Sequence, residues 1–518
     1  MPQQFSASVV VIIALVFGVG CAAPDSRSAA SAPPASQLPG ADLVEPEIIS
    51  SQNGLLQARL IAAPSEITVA GRTFRSNVYN GSYLAPTLRV QRGDSVRLTL
   101  ENRIGPADVF IKEPQPTNLH YHGMSIPPLK PADYVYLHVT PQGFPELVTE
   151  HDGHPVPVAD IAADSFVYRF QVPTDHANGE YWYHPHKHGF AQAQVMSGLS
   201  GMILVEGMLE DHYPEFAVLR QRVLLLKDIR LPGASDDSAL TKSINGQLRP
   251  SVPLQPGEWQ VWHVGNVGAN AFFDLSVTGQ PVWLLALDGN LLLKPEPVTS
   301  VFLVAGARAT VVVGGLPEGR YPLHSLEIDT GPAGDPNPDV VLGTVTVAGS
   351  PMDGAAIPAR LAQPAVRLQE IRPSLAEFRT MRITRRRVIE FSETADGQTF
   401  FINGKQFDPM RDDITVQLGD VEEWTIRNLS KELHVFHIHQ LDFAVTRFRG
   451  EEYDVRGLRD VVDIPFERNG VPGEVTLIVP FTNPIIVGKF VFHCHILEHE
   501  DAGMMANLVV KSRAPTGR

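Results

Sequence analysis

A chain of 518 residues, 43% of them apolar, is too long for one ordinary core and has the composition of a globular protein, so two to four domains are expected. Its 57 acidic against 42 basic side chains give a formal charge of −15, which argues against nucleic acid as a partner and for solubility.

Taken in chain order, the first feature is an uninterrupted apolar run of 12 residues, Val9 to Gly20. It is too short to span a bilayer and has the length of a signal h-region, although no Lys or Arg precedes it. The run ends at Cys21 behind the small residue Gly20, which resembles a bacterial lipoprotein cleavage box. Residues 1–21 therefore read as a lipoprotein-type signal peptide, and residues 22–44, rich in Ala, Ser and Pro at their start, as a flexible tether. An exported protein is expected, periplasmic or at the cell surface, anchored in the membrane through lipidated Cys21 and monomeric. With Cys21 lipidated or removed, Cys494 has no disulfide partner. A lone thiol in an exported protein is a hazard unless it has a use, and metal ligation is one.

Three copies of one unit follow. Val90-Gln-Arg-Gly93-Asp94 leads to Asn102, Leu254-Gln-Pro-Gly257-Glu258 to Asn266, and Val416-Gln-Leu-Gly419-Asp420 to Asn428, with nine residues from Gly to Asn each time. An Asn-Gly pair precedes each copy: Asn80-Gly81, Asn245-Gly246 and Asn403-Gly404. Alternating strands bounded by such turns predict an all-β protein of three sandwiches. Each copy closes on a histidine five residues after a glycine, at His184, His324 and His493. Only the first and third continue as His-X-His, so metal chemistry is expected in the outer domains and a spacer between them. The expected boundaries are 45–207, 218–349 and 385–513, with 350–384 as a linker.

The histidine pairs are His120-Tyr-His122, His184-Pro-His186, His437-Ile-His439 and His493-Cys494-His495, with His434 and His499 nearby. On a strand, His-X-His puts both rings on one face, close enough for adjacent metals. Around Cys494 the same alternation sends His493 and His495 to the face opposite the thiol. One thiolate, two imidazoles and a weak thioether make the trigonal site that suits copper, and Cys494, His499 and Met504 supply three of these donors. A zinc site would want four ligands closed in one cluster, which this layout splits.

With these motifs in this order, residues 45 to 512 resemble the multicopper oxidases, the family of laccase, ascorbate oxidase, bilirubin oxidase and the bacterial copper-efflux oxidases. The resemblance implies three consecutive cupredoxin-like Greek-key β-sandwich domains and four copper ions per chain. Cys494, His434 and His499 would hold the type 1 copper, with Met504 axial. His120 and His437 would hold the type 2 copper. One type 3 copper would sit on His122, His184 and His495, the other on His186, His439 and His493. Val435 and Gln440 stand where the family often has Pro and Gly. His188 reads as a residue supporting or rimming the site, and His138, His151, His154, His176, His212, His263 and His324 as structural or solvated.

The resemblance also implies oxidation of four substrate equivalents, one electron each, coupled to reduction of O2 to water. Electrons would enter near His434 and pass through Cys494 to His493 and His495. Asp133 and Glu500 are the candidates for proton delivery. No Met-rich insert of the kind that suits Cu(I) is present, so phenols or aromatic amines are expected as reductants, with Cu(I) or Mn(II) oxidation as the alternative. The Asp460-Val-Val-Asp463 segment reads as a loop that could face substrate or simply be solvated. A two-domain copper nitrite reductase lacks the paired His-X-His motifs, and a non-enzymatic copper-binding relative would be expected to have lost ligands.

Overall fold

The Gln-X-Gly-Asp/Glu signature marks one recurring turn in the computed structural model, which describes residues 40–69, 71–144, 150–151, 154–233, 240–366, 378, 380–453 and 457–513. In each copy the acidic side chain accepts a hydrogen bond from the backbone of the glutamine three residues earlier: Asp94 from Gln91, Glu258 from Gln255, Asp420 from Gln417. The Asn-Gly pairs are equally regular. Asn80, Asn245 and Asn403 all take φ of 52–53° and each is followed by a glycine of positive φ, the geometry of a tight hairpin turn. Each asparagine side chain accepts a bond from a neighbouring strand, at Ile61, Leu225 and Glu390.

Between these turns the strands alternate as expected. Ser95–Asn102 buries Val96, Leu98 and Leu100 and turns the intervening residues outward. Its terminal Asn102, like Asn266 and Asn428 in the other copies, is fully buried and donates to two carbonyls across the end of the sandwich. The repeated asparagine is thus a polar staple whose donors are satisfied.

Apart from two two-stranded sheets, His138–Thr140 with Ile161–Ala163 and Glu150–His151 with His154–Pro155, the described strands form three pairs of sheets. Strands between Ile48 and Val205 make a five-stranded and a four-stranded sheet, those between Arg220 and Val347 a six- and a five-stranded sheet, and those between Arg385 and Lys511 the same again. In all three, the strand ending in the repeated asparagine runs parallel to the first long strand of its copy. The all-β expectation of three sandwiches holds, with only short helices such as Ala191–Ser197 and Leu497–Asp501. No helix among the described residues is long and apolar enough to cross a membrane.

Two connections differ from expectation. The end of the expected tether is held: Gly40 and Leu43 donate to the carbonyls of Arg249 and Ser251, and Asp42 bridges Ser251 in parallel. Within the expected linker, Ile357–Leu361 is helical and buries Ile357 and Leu361 against Leu209, Tyr213 and Phe216. Two apolar residues one turn apart suffice for that packing. The proposed leader, Cys21 included, and most of the tether lie outside the described residues, as do 367–377 in the linker.

At the seam of the first and second sandwiches, Lys227 is buried with its Nζ near the carbonyls of Tyr83 and Ser200 and 4.6 Å from the Tyr83 ring. Burial lowers its ammonium to about 7. Between that value and the ordinary lysine range the unfolded chain carries the extra proton, so stability should rise with pH across this window. Lys227→Met is expected to flatten that rise and so to narrow the stability difference between pH 7 and pH 10. Thermal unfolding at pH 7 and pH 10 checks this.

Candidate metal centre

Four strand segments carry the histidine pairs. His120–His122 lies beside Gly179–His184, with His184 opposite His120 and Trp182 opposite His122. In the third sandwich His434–Ile438 lies beside Gly488–Cys494, with His437 opposite His493 and Phe436 opposite Cys494. The two strand pairs bring rings distant in sequence together. Nε2 of His186, His439 and His493 lie 3.1–3.2 Å from one another, and His122 Nδ1 lies 3.1 Å from His495 Nε2. Sets of residues with ligand atoms within 4.8 Å of each other include His120, His122 and His437; His122, His184 and His495; His186, His439 and His493; and His120, Asp133 and His439.

Hydrogen bonding does not account for this arrangement. Three ring nitrogens facing one point cannot all be complementary, and Nε2 of His120, His184 and His437 is buried with no partner at all. Buried polar atoms left so demand an explanation, and a shared cation supplies it. Burial, reinforced by the neighbouring imidazoles, holds His120, His122, His186, His437, His439 and His495 well below the ordinary histidine range. They are therefore neutral, the form that ligates metals. The far nitrogens are anchored: Nδ1 of His184, His437 and His493 donates to the carbonyls of Pro185, Asp460 and Cys494.

A second constellation surrounds the thiol. Cys494 Sγ lies 3.8 Å from His434 Nδ1 and 3.7 Å from His499 Nδ1, and these two nitrogens are 3.1 Å apart. All three residues are buried, and burial pushes the Cys494 thiol far up, so a thiolate here needs a cation beside it. Phe400 stacks on the His499 ring at 4.1 Å. Met504 is fully buried in the same apolar cluster as Cys494, accepts from the Cys494 N–H and donates to the His499 carbonyl. Met505 belongs to a separate cluster with Val135, Phe407 and Val491, on the other side of the strand.

Comparison with known proteins agrees with this chemistry. Two family models, both described as multicopper oxidase, match residues 62–209 and 381–514, between them more than half of the chain. The chain belongs to the multicopper oxidase family. It is 26% identical to multicopper oxidase mco of Staphylococcus aureus, over 83% of each chain, and 25% identical to a laccase of Bacillus stratosphericus, over 82% of this chain and 89% of that one. Its fold matches the structure of "Multicopper oxidase from Campylobacter jejuni: a metallo-oxidase" with a TM-score of 0.71, at 24% identity, covering 92% of this chain and 96% of that one. Family membership makes it a copper-dependent oxidoreductase, and the donor set fits: imidazole nitrogens grouped at the sandwich seam, and one site with a soft sulfur.

Three carboxylates touch the histidine cluster of this oxidase. Asp133 is buried, lies 2.9 Å from His120 Nδ1 and accepts from the Tyr121 N–H and from Gln440 Nε2. Burial pushes its carboxyl up to about 7. Glu500, fully buried, lies 3.5 Å from His186 Nδ1 and 3.2 Å from His493 Nδ1, and burial raises its carboxyl well above the usual range. The third, Asp460, is a correction. It lies at the head of strand Val461–Ile464, not in a solvated or substrate-facing loop, and its Oδ1 is 3.1 Å from His122 Nε2. The β-branched residues Val461, Val462 and Ile464 were the only local signal for a strand. Gln440 also gains a meaning that its departure from the family pattern did not reveal. It adopts φ 68°, a conformation that favours glycine, and its side chain holds Asp133.

The remaining histidines divide by partner. His154, His263 and His324 pair with Asp408, Glu180 and Asp339; His176 and His212 donate to the carbonyls of Ala177 and Val366. His138 and His188 line a cavity of about 250 Å³ that also reaches His186, Phe407 and Met505. The His151 side chain lies outside the described residues.

Proposed function

We propose that this oxidase couples the one-electron oxidation of four reductant equivalents at the Cys494, His434 and His499 centre to the four-electron reduction of O2 to water at the eight-histidine cluster, with phenols or aromatic amines as reductants. The observation that carries this reading is the placement of three consecutive residues. Cys494 faces His434 and His499, while His493 joins His186 and His439, and His495 joins His122 and His184. One covalent segment thus links the thiol centre to two histidine sets. Copper held there supplies one-electron redox chemistry, with a type 1 ion at the thiol and one type 2 and two type 3 ions in the cluster.

The protein's part is positioning and proton supply. The anchored far nitrogens fix each ring, and Phe400 fixes His499. Asp133 beside His120 and Glu500 between His186 and His493 stand at two edges of the cluster, where a carboxyl oxygen delivers protons to reduced oxygen. The leader reading adds export and attachment through lipidated Cys21, which labelling of the expressed chain with a radioactive fatty acid tests.

One observation favours a metal ion such as Cu(I) or Mn(II) as the reductant instead. His499 Nε2 lies 3.1 Å from Glu432, whose carboxyl is pushed up to about 9 by burial and by Glu393, Asp335 and Glu498. That acidic surround attracts cations to the edge of a candidate ligand. The test is O2 uptake by the copper-loaded protein on a phenolic donor, Cu(I) and Mn(II), with its absorption spectrum. A strong red-region band, a near-ultraviolet shoulder and O2 uptake without peroxide are expected. Glu432→Gln should leave phenol oxidation within about threefold, since the amide keeps the shape and a hydrogen bond at His499 Nε2. Selective loss of metal-ion oxidation would give the metal-ion reading instead, and a colourless protein that consumes no O2 would sink both.

A further inference from the structure

The middle sandwich provides none of the candidate copper ligands, yet one of its segments forms part of the cluster wall. Gly306 brings its backbone against two cluster rings: a Cβ there would lie 2.9 Å from His122 Cε1 and 3.0 Å from His495 Nε2. Two residues on, Arg308 opens the strand Arg308–Gly314 and is fully buried. Its Nη1 donates to Asp460 Oδ1 at 2.7 Å and its Nη2 to Asp460 Oδ2 at 2.5 Å, a two-pronged contact. Nη1 also donates to the Gly306 carbonyl, and Nε to the Glu180 carbonyl of the first sandwich. Behind it, Asp288 accepts from the Arg308 backbone N–H and from Arg459 Nε.

Four charges therefore alternate, the half-buried Arg459 and the buried Asp288, Arg308 and Asp460, and the last touches the cluster twice. Its Oδ1 meets His122 Nε2, and its carbonyl accepts from His437 Nδ1. The first contact leaves His122 Nδ1 as the nitrogen turned to His495. Even the glycine after His122 serves this pair, since a Cβ at Gly123 would lie 2.5 Å from both Arg308 Nη2 and Asp460 Oδ2. Burying such charges costs desolvation that a well-packed apolar set would avoid, so geometry, not stability, is the gain to look for.

We propose that Arg308 of the middle sandwich is a positioning residue for the copper cluster, holding Asp460 so that His122 presents Nδ1 to the metal. The inference rests on the proposed assignment of the histidine cluster as a copper site. A guanidinium holds both carboxylate oxygens in one plane, which a lysine ammonium cannot do.

The test compares wild type, Arg308→Lys and Asp288→Asn, reading copper loss to a chelator separately at the two centres. The visible thiolate band and the narrow-hyperfine electron paramagnetic resonance signal report Cys494, and the near-ultraviolet band and the wide-hyperfine signal report the histidine cluster. Arg308→Lys should weaken copper retention at the cluster about 10–100-fold, as expected of a group supporting a ligand, and leave the thiolate band unchanged. Asp288→Asn, which slackens Arg308 without removing its contact to Asp460, should show the same selectivity on a smaller scale and keeps the inference testable if the lysine variant fails to fold. Wild-type retention at the cluster in both variants would overturn it, and so would equal loss from both centres. A wild-type protein that binds no copper at the histidines would instead overturn the functional reading.

Discussion

Cys494→Ser is expected to abolish the visible thiolate band and to cut reductant-driven O2 uptake by roughly a thousandfold or more, because the soft donor of the proposed electron-entry site is gone. The fold should survive. Serine is close to cysteine in shape, the Cys494 N–H still donates to the Met504 carbonyl, and strand Gly488–Cys494 keeps its register with Met505–Lys511. The histidine sets should survive as well, since none uses the thiol as a member. Copper analysis should therefore show loss of one ion per chain, with the near-ultraviolet band of the cluster retained. Unchanged O2 uptake would mean that electrons reach the cluster by another route, and would remove Cys494 from the proposed mechanism.

What the sequence disclosed depended on how local each feature is. The turns were legible because their chemistry is contained in a few residues: the Asn-Gly pairs at Asn80, Asn245 and Asn403 take positive φ, and an acid three residues past a glutamine caps its own turn. The convergence of the histidines followed from strand alternation applied to four short motifs, together with a family resemblance that assigned their order. Asp460 escaped because its role depends on Arg308, a residue 152 positions away in a different sandwich. Taken alone, Asp-Val-Val-Asp is equally consistent with an exposed loop. Arg308 itself carried a signal that went unused, a single cation inside the run Val304-Ala-Gly-Ala-Arg-Ala-Thr-Val-Val-Val313. A charge in so apolar a strand is buried with a partner or not buried at all. The middle sandwich is accordingly more than a spacer: it has no His-X-His pair, but it walls the cluster with Gly306 and Arg308.

Asp133→Ala is expected to lower O2 reduction by about 10–100-fold and to loosen copper at the His120 and His437 site, because it removes the group that fixes His120. In the folded protein Asp133 accepts from the Tyr121 N–H and from Gln440 Nε2, and it meets His120 Nδ1 at 2.9 Å. The contact leaves Nε2 of His120, which has no partner of its own, facing the other rings. Losing the carboxylate frees the ring to turn and strands the Gln440 amide. Asp133→Asn separates orientation from proton delivery, since its carboxamide oxygen still accepts from His120 but cannot shuttle a proton. If the first role dominates, Asp133→Asn keeps the copper signal and most of the rate; if the second does, it keeps the signal and loses the rate. Gln440 shows why the distinction matters. A non-glycine residue held at φ 68° costs about 1–3 kcal/mol of local strain. The amide at that position donates directly to Asp133, so the strain is offset by a hydrogen bond aimed at the residue that orients His120. A position that backbone geometry alone would give to glycine thus carries a side chain that acts on the cluster.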